Sequence, residues 1–126
     1  MVANDIDGNA TIRGSISTKG ANSTAVALLG DVDGAVKIQG TIVSTGYRST
    51  TRPSDVTKLD ADDLLQGGPA LVIAGNVSGG IVFDVAPTAS DDDDEDDTDI
   101  DDDGLLDSTE TTATVINYGS AAAVQI

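Results

Sequence analysis

Gly30-Asp31-Val32-Asp33-Gly34-Ala35-Val36-Lys37-Ile38-Gln39-Gly40-Thr41-Ile42-Val43-Ser44-Thr45-Gly46 decides the fold, because the chain carries this stretch more than once. Moved back by 26 positions it meets a near copy, with Asp7-Gly8 under Asp33-Gly34, Ile12 under Ile38, Gly14 under Gly40, Ile16 under Ile42 and Gly20 under Gly46. Moved forward by 45 it meets a looser one, in which Val32 falls on Val77, Gly34 on Gly79, Val36 on Ile81 and Ile38 on Phe83. Ser44-Thr45-Gly46 returns as Asn117-Tyr118-Gly119, and Ala123-Val124-Gln125-Ile126 begins the unit again. Self-similarity at a fixed offset indicates supersecondary units that bury their apolar faces only by stacking on one another.

Within a unit the apolar residues alternate with polar ones, as in Val36 and Ile38 followed by Ile42 around Gly40. A period of two marks a strand with one buried face. Glycine at the same place in each unit suggests equivalent corners, so Ala10–Arg13 and Ser15–Thr18 read as two short strands joined at Gly14 and closed at Gly20. The expectation is an all-β chain, a parallel β-solenoid (β-helix) fragment of about three coils over residues 1–126, with Ile12 beside Ile38 and Ile16 beside Ile42. Two segments fit no copy and are read as extruded loops. Residues 48–68 carry a short helical turn capped by Asp60 and stopped by Gly67-Gly68-Pro69, with Leu59, Leu64 and Leu65 laid on the wall. Residues 87–111 are an acidic insertion. The competing reading makes Asp33-Gly34 a two-residue hairpin turn in an antiparallel fold.

Composition fits stacked aliphatic layers. Apolar residues are 39% of the 126 and aromatics 2%, namely Tyr47, Phe83 and Tyr118, whereas a globular core of this size usually leans on aromatic area. The formal charge of −16 is local: 13 of the 22 acids lie between Asp91 and Glu110, leaving nine acids against six bases elsewhere. This balance speaks against nucleic acid as a partner, which needs Lys and Arg clusters, and against anionic membrane surfaces. There is no Cys and no His, so disulfides, thiolate chemistry and imidazole acid–base catalysis are excluded. No apolar run is long enough to span a bilayer as a helix, and Met1–Asp5 is not a secretory signal. The repeat is under way at Asp7 and restarts at Ile126, which predicts an excerpt of a longer chain with neighbouring coils as partners. Three Asn-x-Ser/Thr triplets begin at Asn9, Asn22 and Asn76; the pattern is common by chance in a Ser/Thr-rich sequence.

The most specific motif is Asp99-Ile100-Asp101-Asp102-Asp103-Gly104-Leu105-Leu106-Asp107-Ser108-Thr109-Glu110, which fits D-x-D-x-D-G-x5-E at every required position. A hard cation such as Ca²⁺ takes six to eight oxygens. Asp99, Asp101 and Asp103 supply carboxylates, Gly104 allows the sharp turn, and Leu105 offers its carbonyl. Asp107 binds directly or through water, and Glu110 binds with both oxygens. Strand-like Thr111–Ile116 follows, so no EF-hand helix pair is expected; the loop resembles the DxDxDG loops of thrombospondin type 3 repeats and other extracellular calcium modules.

Gly67 to Asp84, the Asp-rich loop, and Asn117-Tyr118-Gly119-Ser120 before Ala123-Val124-Gln125-Ile126 resemble passenger regions of bacterial autotransporters, of the alphaproteobacterial, sphingomonad type. Leu59 to Pro69 fits the same likeness, which covers most of the chain after Gly30. The resemblance implies a β-helical, non-catalytic structural or adhesive stalk, secreted through an outer-membrane barrel and displayed at the cell surface, where it meets a protein or glycan ligand. Two alternatives stand beside it. A carbohydrate-active β-helix enzyme would need carboxylates with Arg or Lys on one face, for which Asp31, Asp33, Asp84, Lys37 and Arg13 are the candidates. A calcium-responsive binding module would need a second conformational state.

Overall fold

A computed structural model of the chain describes residues 1–46, 54–88, 98–100, 102 and 104–126. It is built from parallel strands. The alternating stretch flagged by the repeat forms two strands of ten residues, β2 (Ala10–Lys19) and β4 (Val36–Thr45). They pair in register from Ala10↔Val36 through Ile12↔Ile38 and Ile16↔Ile42 to Lys19↔Thr45, the offset of 26 that the sequence carries. This parallel register excludes the hairpin at Asp33-Gly34. A third row lies on β4 in two pieces: β6 (Ile81–Phe83) against Val36–Ile38, and β7 (Thr114–Tyr118) against Thr41–Thr45. The remaining strands, β1 (Val2–Ala3), β3 (Val26–Leu28), β5 (Leu71–Ile73) and β8 (Val124–Gln125), form a second parallel sheet in that order.

The expected β-solenoid is corrected by this pairing. The strands make two separate parallel sheets, and neither closes or curls on itself. Between them runs only a row of single bridges, Ile6–Val32–Val77. Asp7-Gly8, Asp33-Gly34 and Gly79-Gly80 follow those bridges and turn the chain before a third wall can form. Gly14 takes the positive φ, +72°, that a recurring glycine suggests, but β2 continues through it as one strand of ten residues rather than two. Its partner Gly40 is required by close approach, because a Cβ there would meet the carbonyl oxygen of Gly14. The stacked turns are instead held by side chains reaching one row up. Asp5 Oδ1 accepts from the Asp31 N–H at 3.1 Å, Asp31 Oδ1 from the Asn76 N–H at 2.8 Å, and Asn9 Oδ1 from the Ala35 N–H at 2.9 Å.

One apolar cluster joins both sheets. Val36, Ile38 and Ile42 of β4 are fully buried, as are Val26 and Leu28 of β3 and Leu71 of β5; Val32 fills the space at the bridges. Each such aliphatic side chain contributes about 1.5–3 kcal/mol by leaving water. The segment from 54 to 66 contains two 3₁₀ turns, Val56–Lys58 and Ala61–Leu64, the second started by Asp60, whose N–H donates to Asp63 at 3.1 Å. Of its leucines Leu59 is half-buried, while Leu64 and Leu65 are exposed and do not anchor it. Hydrogen bonds hold its far end, with Asn22 N–H donating to the Gln66 carbonyl at 2.9 Å, Gly68 N–H to the Ser23 carbonyl at 3.0 Å, and the buried Ser44 hydroxyl to the Gly68 carbonyl at 2.6 Å. Residues 48–53 of the expected 48–68 loop lie outside the described residues. Among the described residues no helix is long and apolar enough to cross a membrane.

Candidate functional site

The acidic insertion leaves the sheet of β2 and β4 at the break between β6 and β7, opposite Gln39-Gly40. Its base is closed by the Ala113 N–H donating to the Asp84 carbonyl at 2.8 Å and the Ala86 N–H to the Thr112 hydroxyl at 3.1 Å. Asp91–Asp97, Asp101 and Asp103 lie outside the described residues, so two of the expected calcium ligands have no placement here. Asp99 and Asp107 are brought into one compact loop: the Asp107 N–H donates to the Thr98 carbonyl at 2.9 Å, the Ile100 N–H to Asp107 Oδ1 at 3.1 Å, and the Gly104 N–H to Asp99 Oδ2 at 2.9 Å. Gly104 sits at φ +86° and Asp102 at φ +52°, so the turn assigned to Gly104 is made. Leu105 is half-buried. A 3₁₀ turn over Asp107–Thr109 then carries the chain to Glu110.

Glu110 faces the body of the protein. Its Oε1 accepts from Gln39 Nε2 at 2.9 Å, while Asp84 Oδ2 accepts from the same nitrogen at 2.8 Å. Arg13 Nε donates to Gln39 Oε1 at 2.8 Å, and the Thr111 hydroxyl donates to the Gln39 carbonyl at 2.6 Å. Lys37 Nζ lies 2.8 Å from Asp84 Oδ2. That ammonium holds the Asp84 carboxyl below the usual carboxylate range; partial burial opposes it, and hydrogen bonds from Gln39 and the Val85 N–H reinforce it. Gln39 itself is 2% exposed. A neutral amide therefore stands at the hub of two carboxylates and a guanidinium, donating to the first two and accepting from the third, as its chemistry allows.

The arrangement sorts the residues singled out in the sequence. Arg13, Lys37 and Asp84 of the carbohydrate-active set meet at Gln39, joined by Glu110, whereas Asp31 and Asp33 sit at turns. Of the calcium set, Asp99, Leu105 and Asp107 share the loop, and Glu110 is drawn to the neck. Among the described residues no group of three or more acidic side chains converges as a metal site. Gln39 was not singled out from sequence. Its signal was a polar residue inside the best-copied strand, aligned with Arg13 one unit earlier. No protein-family model matches the chain, and no curated protein or solved structure matches it either.

Proposed function

We propose that the chain is a non-catalytic structural or adhesive segment of a secreted, surface-displayed passenger region of the autotransporter kind, with a calcium-binding acidic loop. The observation that carries the reading is the mounting of the insertion: both ends are clamped on a rigid sheet by the buried Gln39. A loop held this way is presented outward for a protein or glycan ligand. Asp99, Asp101, Asp103, the Leu105 carbonyl and Asp107 supply the oxygens for calcium. Glu110 joins them by turning from Gln39 or remains the anchor of the neck. Such extracellular sites bind in the range of about 10⁻⁴ to 10⁻³ M. Calorimetric titration with calcium and then magnesium tests the loop. Asp99→Ala should abolish saturable uptake while Asp92→Ala, outside the pattern, leaves it; equal losses, or no uptake at millimolar calcium, would reduce the loop to a diffuse acidic tract. Antibody labelling of intact cells that make the protein tests display, and labelling only after permeabilisation would refute it.

The neck favours one second reading. Asp84 and Glu110 each accept from the same Gln39 nitrogen, with Lys37 on Asp84 and Arg13 on the Gln39 oxygen, and paired carboxylates are what glycoside hydrolysis uses. Incubation with a panel of polysaccharides decides it: turnover lost in Asp84→Asn would establish the enzyme, and no release of reducing ends would end that reading.

A further inference from the structure

The two ends of the stack are unfinished in complementary ways. At the upper end Phe83 heads the column of Ile12 and Ile38, yet it is 45% exposed where Ile38 is wholly buried. Ile81 and Val115 head the columns of Val36 and Ile42 and are likewise only partly covered. At the lower end Ala10 and Ile16 begin those same two columns, also partly covered. Among the described residues β2, β6 and β7 each pair with β4 alone, so the far edge of β2 and the far edges of β6 and β7 meet no strand.

The repeat says what fits there. β2 is a near copy of β4, and β4 rests on the row beneath it through a parallel ladder of ten pairs. We propose that copies of this chain stack head to tail, with β2 of a second copy adding in parallel onto β6 and β7 of the first. The register already in use then carries Ala10 onto Ile81, Ile12 onto Phe83 and Ile16 onto Val115, and continues the interface that the chain makes with itself.

Charge agrees with shape. Arg13 and Gln39 occupy one column, and the places beyond Gln39 are taken by the Asp84 and Glu110 carboxylates that it binds. The guanidinium of a second copy arrives over that carboxylate pair. The other sheet agrees as well. β8 already forms a fourth row on β5, where β1 of the second copy would otherwise lie. β8 of one copy therefore replaces the two-residue β1 beneath β3 of the next. Such a contact joins unlike surfaces and does not close, so it grows into an open stack.

Sedimentation velocity of the 126-residue chain from low to high micromolar concentration tests this. The wild type should pass from monomer to dimer and longer species, and added salt should weaken the association. Phe83→Lys blocks the upper end and Ile16→Lys the lower; each should be monomeric alone, and the two mixed should give a dimer that grows no further. Arg13→Glu is a second lower-end block should Ile16→Lys melt early, with circular dichroism checking each fold. Leu64→Lys, on an exposed loop away from both ends, should associate like the wild type. A wild type that stays monomeric, a Phe83→Lys that associates unchanged, or a mixture no larger than its parts would overturn the proposal.

Discussion

Replacing Gln39 by leucine removes the hub of the neck while nearly keeping its volume. Gln39 is 2% exposed, and its amide makes three side-chain hydrogen bonds, to Asp84, to Glu110 and from Arg13, all between 2.8 and 2.9 Å. Bonds to charged partners are each worth about 1.5–3 kcal/mol, and losing one partner leaves the other's desolvation uncompensated. The three share one amide and do not add, and Asp84 keeps Lys37, so the net loss is about 3–5 kcal/mol. For a chain of this length that lowers Tm by roughly 10–25 °C. Gln39→Ala adds a cavity and should be worse again. Gln39→Glu places a third carboxylate beside two others and should be the least stable at neutral pH, recovering partly as acid protonates the cluster. Urea unfolding of the three variants measures the energies, and limited proteolysis reports the neck, which should be cut between residues 85 and 112 faster than in the wild type. A Gln39→Leu protein within about 0.5 kcal/mol of the wild type, with unchanged cleavage, would show that the amide holds nothing.

Ile38→Asp puts a carboxylate into the fully buried column between Ile12 and Phe83 and should cost several kcal/mol; Thr41→Asp, half-exposed on the other face, should cost no more than about 0.5 kcal/mol, and equal melting temperatures would invert the faces. The Asp84 carboxyl is held below its usual value by Lys37, so its stabilisation is present above the unfolded pKa and is lost as pH falls through the lower folded one. Lys37→Met should flatten that acid limb of the stability–pH curve, and an unchanged limb would detach the ion pair from stability. Gly40→Ala would drive a methyl group into the Gly14 carbonyl and should open the β2–β4 ladder at its centre, lowering Tm by roughly 10 °C or more; Gly8→Ala, with open space around it but φ +108°, should cost only the backbone strain, about 1–2 kcal/mol. Calorimetry ranks the two, and a smaller loss for Gly40→Ala would contradict the close approach.

The pairing was legible because it is written twice in the chain: Ile12↔Ile38, Val36↔Ile81 and Ser44↔Asn117 are all alignments of the sequence with itself. What the alignment lacks is the length of each wall. A row needs several consecutive residues to become a strand, and Ile6, Val32 and Val77 are each a single bridging residue before a glycine turn, so the expected coil became two sheets. A recurring glycine marks a positive φ and a close backbone approach in the same way, and here Gly14 has the first and Gly40 the second. The local turn was legible from Asp99, Gly104 and Asp107: the Gly104 N–H bonds Asp99 and the Ile100 N–H bonds Asp107. The neck was not, since Gln39 and Glu110 are 71 positions apart and meet only through the break between β6 and β7. The expectation that Glu110 binds calcium rests on spacing, and spacing does not register the buried amide of Gln39 that donates to its Oε1.

The break in the third row has a consequence for how this chain can change. The Ala113 N–H with the Asp84 carbonyl, the Ala86 N–H with the Thr112 hydroxyl, and Gln39 with Glu110 close the insertion at its base, so β6 and β7 sense where the excursion starts and stops and nothing of its length. Closing a flexible segment twice as long costs only about 0.6 kcal/mol more, less than a single one of the aliphatic columns below it supplies. The position is thus a socket: a cassette of different length and chemistry can be exchanged between Ala86 and Glu110 while the register of the stack, set in the adjoining row by Val36 and Ile42, stays as it is.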